Sequence, residues 1–245
     1  MADWDIYEGD KKILWFMCGG ICAICKTSIV PINSSGDRYV IGQMAHIYGE
    51  KPTAARYLAS IEESFVRSYK NHLALCGTCH SKIDKNEKDY PIDLLLKIKS
   101  EHEDEVMDKL KSNIGNVTFV ELEVVIRFLQ EQPVDNQNLA LITPSEKIKR
   151  NQLSEKVDTL LKIGLIQRHQ VAEYLNKNPD VNFSERLRAG FIKQYQELKQ
   201  KGESKDELFY SLFEFASNNS SDFKIKAAGL AVLTYFFEIC DIFEI

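Results

Sequence analysis

The chain has 245 residues, 44% apolar and 27% charged, a balance that excludes wholesale disorder and allows one large or two modest domains with real cores. Its net charge of −5 excludes a protein that coats nucleic acid by bulk electrostatics. The acidic start Met1-Ala2-Asp3-Trp4-Asp5 lacks the pattern of a secretory signal, and no run reaches the ~18 to 20 apolar residues that span a bilayer. The expectation is a cytoplasmic protein with no membrane association, where reducing conditions favour metal thiolates over disulfides.

In chain order, the first signal is the pair Cys22 and Cys25. The β-branched and aromatic content from Arg38 to Ile47 predicts a strand ending near His46, and Asn71 to Cys76 supplies a second short one. Cys79 to Asp84 can start a helix, which makes the order strand, strand, helix. Tyr90-Pro91 opens another helix, with Ile92, Leu95, Leu96, Val106, Met107 and Leu110 partly at helical spacing. The chain divides most naturally between 100 and 118, giving domains at 1–112 and 113–245. Thr118 and Glu121 stand in capping-box relation before an apolar helix through Val125 and Phe128, and Gln130 to Asn138, with Pro133 inside it, reads as a loop.

Beyond Ser154 the pattern is helical. Ser154 is expected to cap a helix that stops near Gly164, and Ser184 one that stops at Gly202. Ser204 and Glu207 form a further expected capping box. The last helix, Phe223 to Cys240, is apolar almost all round, which implies burial on more than one side, part of it against a partner protein. The fold class is therefore α+β, a small zinc-stapled ββα unit followed by a mostly α-helical domain.

The chemistry concentrates in the first domain. Cys22, Cys25, Cys76 and Cys79 form two C-x-x-C pairs, and four thiolates saturate a tetrahedral zinc ion, so the expected zinc is structural. The first ninety residues set eleven Lys+Arg against eleven Asp+Glu. Nucleic-acid contact is thus expected from a few placed cations such as Arg38, Arg56, Arg67 and Lys70. His72 and His102 read as structural or surface residues, and Cys18 and Cys240 as packed thiols. No comparable constellation marks the second domain; the carboxylates of Asp206 and Glu207 sit where they favour a helix dipole.

This spacing resembles an HNH nuclease over about residues 14 to 105. The matched elements are C-A-I-C at 22–25, G-Q-M-A-H-I at 42–47, A-R-Y at 55–57, N-H-L-A-L-C-G-T-C-H-S-K-I-D at 71–84 and K-S-E-H-E at 99–103. The resemblance implies a ββα-metal domain in which His46 is the general base that activates water against a phosphodiester. It makes Asn71 the residue that orients that imidazole, and His80 a ligand of a catalytic Mg²⁺ or Mn²⁺. Ala45 departs from the pattern, since many HNH sites carry a second metal ligand there, and Gln43 stands where one subset has an acidic residue. Asp84 is a candidate to complete the cation's shell, and Arg56 a candidate phosphate grip.

The segments D-E-L-F-Y-S-L-F-E-F-A at 206–216 and A-A-G-L-A-V-L-T-Y-F-F-E-I-C-D-I-F-E at 227–244 look like the C-terminal domain of effectors in bacterial ABC-three-component systems. That resemblance, over about residues 115 to 245, implies an ABC-type ATPase and a middle component as partners; a homo-oligomer is a possible further assembly. Together the two imply a DNA endonuclease for anti-phage or anti-plasmid defence. The alternative, motivated by Ala45 and Gln43, is a zinc-stabilised, non-catalytic DNA-binding or scaffolding subunit.

Overall fold

The computed structural model describes residues 6–34, 39–130, 143–180, 182–239 and 242–243. Arg38, Cys240 and the loop expected around Pro133 lie outside them. The chain forms two compact units, 1–108 and 109–245, dividing inside the helix Ile92–Ile114. The class is α+β, mostly helical with one small sheet among the described residues.

The first unit contains α1 (Glu8–Met17), β1 (Gln43–His46), α2 (Glu63–Val66), a 3-10 turn (Tyr69–Asn71), β2 (His72–Leu75) and α3 (Gly77–Lys85), and α4 (Ile92–Ile114) begins in it. α1 is anchored through Asp10, whose Oδ1 accepts from the Tyr69 amide at 2.8 Å, while Leu14, Phe16 and Met17 turn inward. β1 and β2 pair antiparallel, with Gln43 opposite Leu75 and His46 opposite His72. The first strand is shorter than its composition predicts. Tyr39, Val40 and Ile41 are about half exposed and bond the 29–31 segment, with Ile41 N donating to Ile29 O at 2.9 Å. β2 offers only four residues for pairing, so those three have no ladder partner there.

Both faces of the hairpin are used. Ala45, Ile47, Leu73, Leu75 and Ile83 join Leu14, Ile29 and Leu95 in one buried cluster, and α3 packs on both strands. α4 is fixed by polar contacts from the K-S-E-H-E run. Lys99 Nζ donates to His72 O at 3.0 Å and pairs with Glu103 at 2.6 Å. His102 is buried, and that burial, with the Lys26 ammonium beside it, holds its ring below the usual histidine range. A neutral ring suits its contacts: Nε2–H donates to Cys18 O at 3.1 Å and Nδ1 accepts from Lys26 Nζ at 2.9 Å.

The second unit is built on α5 (Phe119–Gln130), α6 (Pro144–Arg150), α7 (Glu155–Gly164), a 3-10 turn (Leu165–Gln167), α8 (Arg168–Asn176), α9 (Phe183–Gln200), α10 (Lys205–Ala216) and α11 (Phe223–Ile239). Two expected caps form. Thr118 N and Oγ1 both donate to Glu121 Oε2, while Ser154 Oγ accepts from Val157 N. Two do not. α9 begins at Phe183 with Ser184 already inside its first turn, because Asp180 organises the start, accepting from Asn182 N and pairing with Arg186. Ser204 makes no side-chain cap, and Asp206 instead accepts from the Ser154 amide at 2.8 Å, joining two helix starts.

α11 is the centre of this unit. Lys226 through Thr234 is buried without interruption, and α5, α7, α8 and α10 all pack on it. The apolar circumference is thus covered by the chain's own helices, which corrects the expectation that a partner covers part of it. Close approach needs small residues: a Cβ on Gly229 would come within 2.8 Å of the Ser217 backbone. Gly229→Ala is expected to cost about 1–3 kcal/mol through overpacking. Gly115→Ala, whose Cβ would meet nothing within 4 Å, should change stability by less than about 0.5 kcal/mol. Urea unfolding of the full chain measures both, and equal effects would contradict this packing.

Candidate functional site

The two C-x-x-C turns converge. The sulfurs of Cys22, Cys25, Cys76 and Cys79 all lie within 4.8 Å of one another. Four thiolates at ~2.3 Å around one zinc would stand about 3.8 Å apart, and Cys25 and Cys76 are separated by 3.6 Å. The donor set therefore fits zinc, and these four residues could hold it. Their turns are prepared by the backbone: Cys22 N donates to Thr27 O at 2.8 Å, and Lys26 takes the left-handed conformation, φ 60°, that closes the first. Ala23 N donates to Ala74 O at 3.1 Å, docking that turn on β2.

The thiols differ in environment. The Thr27 hydroxyl, 3.1 Å from Cys25 Sγ, and the Thr27 backbone lower the Cys25 pKa to about 6, whereas burial pushes the Cys79 thiol up. A bound cation would oppose that burial penalty by favouring the thiolate. Cys76 Sγ also accepts from Cys79 N at 3.4 Å as the N-cap of α3. The sulfur cluster and the helix start are thus one construction, and His80 follows directly on it.

His80 and Asp84 are one helical turn apart on α3 and share a face. His80 Nδ1 lies 2.8 Å from Gln43 Oε1, and His80 Nε2 lies 3.3 Å from Asp84 Oδ2. An amide oxygen only accepts, so hydrogen sits on Nδ1, while Nε2 faces a carboxylate to which it donates in the imidazolium and beside which it presents a lone pair in the neutral ring. In the neutral ring, two converging acceptors at that separation suit a shared cation. Ala45 is fully buried in the hydrophobic cluster, so packing closes the position where the HNH pattern places a ligand, and Gln43 touches the ring of His80.

His46 ends β1 and lines a cleft of about 410 Å³ with His80, Asp84 and Glu87 and with the Gly49–Arg56 loop, which contributes Glu50. The His46 ring lies 4.4 Å from that of His72, its cross-strand partner, and His72 Nδ1 donates to Ser68 O at 2.7 Å. Asn71, wholly buried, grips backbone. Its Nδ2 donates to Tyr48 O and Val66 O, each at 3.0 Å, and its Oδ1 accepts from Tyr48 N at 2.8 Å. Its hold on His46 therefore runs through the main chain, where Ile47 N also donates to Asn71 O.

Arg56 is a correction. Its side chain is only 4% exposed, and the guanidinium donates to the carbonyls of His46, Ile47 and Ile83 and to Asp84 Oδ1. Those bonds occupy the groups that a phosphate would need, so Arg56 serves as a strut and not as a phosphate grip. Arg67 is placed over the Tyr7 ring at 4.5 Å and pairs with Glu63, and Lys70 is exposed. Sequence reasoning missed the strut because burial of Arg56 depends on carbonyls from two distant segments. It also missed Glu50 and Glu87, which carry no spacing signal with the histidines.

Residues 121–244 match C-terminal domain 10 of the ABC-three component (ABC-3C) systems. The chain belongs to this family, and the matched region lies within the second unit. No curated protein matches the chain. Among the described residues, no helix is long and apolar enough to cross a membrane.

Arg56→Lys should destabilise the chain by about 2–4 kcal/mol, since a lysine cannot reproduce the fork and would leave buried carbonyls unsatisfied. Denaturant unfolding monitored by the first unit's tryptophan fluorescence reads this. Unchanged stability would contradict the strut.

Proposed function

We propose that the chain is a divalent-cation-dependent HNH endonuclease that hydrolyses DNA phosphodiester bonds as the nuclease component of an ABC-three-component defence system. The observation that carries this is the meeting of His46, His80 and Asp84 on one cleft, with His80 Nε2 and Asp84 Oδ2 only 3.3 Å apart. The cleft supplies two different kinds of group. Asp84, Glu50 and Glu87 would repel a bare phosphodiester, and a divalent cation reverses that sign.

His80 and Asp84 are the residues that would hold Mg²⁺ or Mn²⁺. When bound, the cation supplies charge neutralisation at the phosphate and the leaving oxygen. His46 takes a proton from the attacking water, a role suited to an imidazole near neutral pH. Asn71 keeps the turn after His46 in place through Tyr48, and Arg56 ties the same turn to the end of α3. The products expected are a 3′-hydroxyl and a 5′-phosphate. The four cysteines would carry a structural zinc that takes no part in the reaction.

The second unit would dock the ABC-type ATPase or the middle component, which would bring the nuclease to DNA. This division of labour fits a first domain with no excess positive charge. A non-catalytic, zinc-stabilised DNA-binding subunit is the second reading. It is favoured by one observation, the burial of Ala45 where other HNH sites place a ligand.

Plasmid DNA incubated with the chain, its ATPase and middle component, ATP and Mn²⁺ or Mg²⁺ separates the readings. Cleavage is expected, lost on chelation, and reduced about 10²–10⁴-fold in His46→Ala, the usual contribution of a general base. His80→Ala should respond to added cation. Cleavage undiminished in His46→Ala, or none by the wild type with its partners, would overturn the nuclease assignment.

A further inference from the structure

We propose that Gln43 is a positioning residue for the cation site, fixing the tautomer of His80 so that Nε2 and Asp84 Oδ2 are presented together to one cation. This rests on the cation-dependent reading above and explains how the site works with glutamine where an acidic residue is expected. The 2.8 Å contact of Gln43 Oε1 with His80 Nδ1 requires hydrogen on Nδ1, because a carboxamide oxygen has none to give. Neutral imidazole side chains in water favour the other tautomer, with hydrogen on Nε2. That form would donate to Asp84 and close the site.

Position explains why Gln43 can do this. Gln43 and Ala45 share one face of β1, because strand residues alternate sides, and α3 packs on that strand. The fully buried Ala45 adds no bulk between them, while Gln43, two residues earlier, reaches the first turns of α3. With Nδ1 committed and the ring neutral, the His80 lone pair stands 3.3 Å from Asp84 Oδ2. Two acceptors facing each other repel unless positive charge lies between them. The remaining oxygen of Asp84 is tied to Arg56 at 3.0 Å, so the carboxylate cannot easily turn away. The partner of a ligand's second nitrogen commonly governs both ring orientation and ligand basicity.

The chemistry predicts a graded series. Glutamate at position 43 accepts the same hydrogen and adds negative charge, whereas leucine accepts nothing. The test is long-range ¹H–¹⁵N correlation spectroscopy of the full-length chain, carrying zinc but no other divalent cation, with ¹⁵N-labelled histidine. The measurement is made at about pH 8.5, roughly two units above the pKa of ~6.5 of a free imidazole. His80→Gln assigns the signal. The wild type and Gln43→Glu are expected with hydrogen on Nδ1, and Gln43→Leu with hydrogen mainly on Nε2. Mn²⁺ binding, followed by electron paramagnetic resonance without DNA, should weaken about 10–100-fold in Gln43→Leu and be at least as tight as wild type in Gln43→Glu. Unchanged zinc content in all variants establishes that the fold is kept.

Hydrogen on Nε2 in the wild type, alone or on both nitrogens, would overturn the proposal. The same tautomer in Gln43→Leu as in the wild type, or wild-type Mn²⁺ binding that Gln43→Leu does not weaken, would do so too. Neither readout involves DNA. An inactive protein that gives the expected tautomers and Mn²⁺ series would overturn the nuclease assignment and leave the role of Gln43 standing.

Discussion

The first unit depends on the closure of two C-x-x-C turns onto one point. Cys22 and Cys25 belong to a turn docked on β2 through Ala23, while Cys76 and Cys79 belong to the junction of β2 and α3. Bringing their sulfurs within 4.8 Å fixes the end of the hairpin and the beginning of the helix in one step. A zinc ion there would add binding free energy on the order of 10 kcal/mol to folding, more than a hairpin of two four-residue strands can supply for itself. His80 inherits its place from this closure, because it follows Cys79 in the same helical turn.

A second constraint operates from the other side of the cleft. Arg56 reaches the carbonyls of His46 and Ile47 at the end of β1 and that of Ile83 on α3, so the two elements bearing the histidines are tied by one side chain. Its left-handed backbone, φ 58°, costs on the order of 1 kcal/mol, and four hydrogen bonds offset this. Asn71 does comparable work on the turn between them. The sulfurs and the strut hold the ends of the site, and the Gly49–Arg56 loop between them is left to shape its rim. The second unit follows a different principle, packing helices around the small, apolar circumference of α11.

Local rules made much of this legible. Cysteine spacing gives the sulfur cluster, and Ser154 and the Thr118–Glu121 pair cap their helices as their spacing requires. Local rules fail where a distant group competes. Asp206 leaves its own helix start to serve Ser154, and Asp180 takes over the start of α9 from Ser184. The strand prediction overran because Tyr39 to Ile41 have strand chemistry without a strand beside them. Arg56 shows the same limit at the site: its charge is visible in the sequence, but its three carbonyl partners come together only in the fold. The wrapping of α11 by four of its own neighbours is likewise beyond any reading of that helix alone, whose apolar surface is equally suited to a partner.

The proposed nuclease has two candidate metal positions of opposite character, a closed one made of sulfur and an open one at His80 and Asp84 beside His46. Crystals of the full chain grown with Mn²⁺ and measured on both sides of the zinc and manganese absorption edges test this most directly. The account predicts a zinc anomalous peak among Cys22, Cys25, Cys76 and Cys79, and a separate manganese peak in contact with His80 Nε2 and Asp84. A zinc peak at the sulfurs with no manganese at His80 would contradict it, and so would manganese bound away from the cleft that His46 lines.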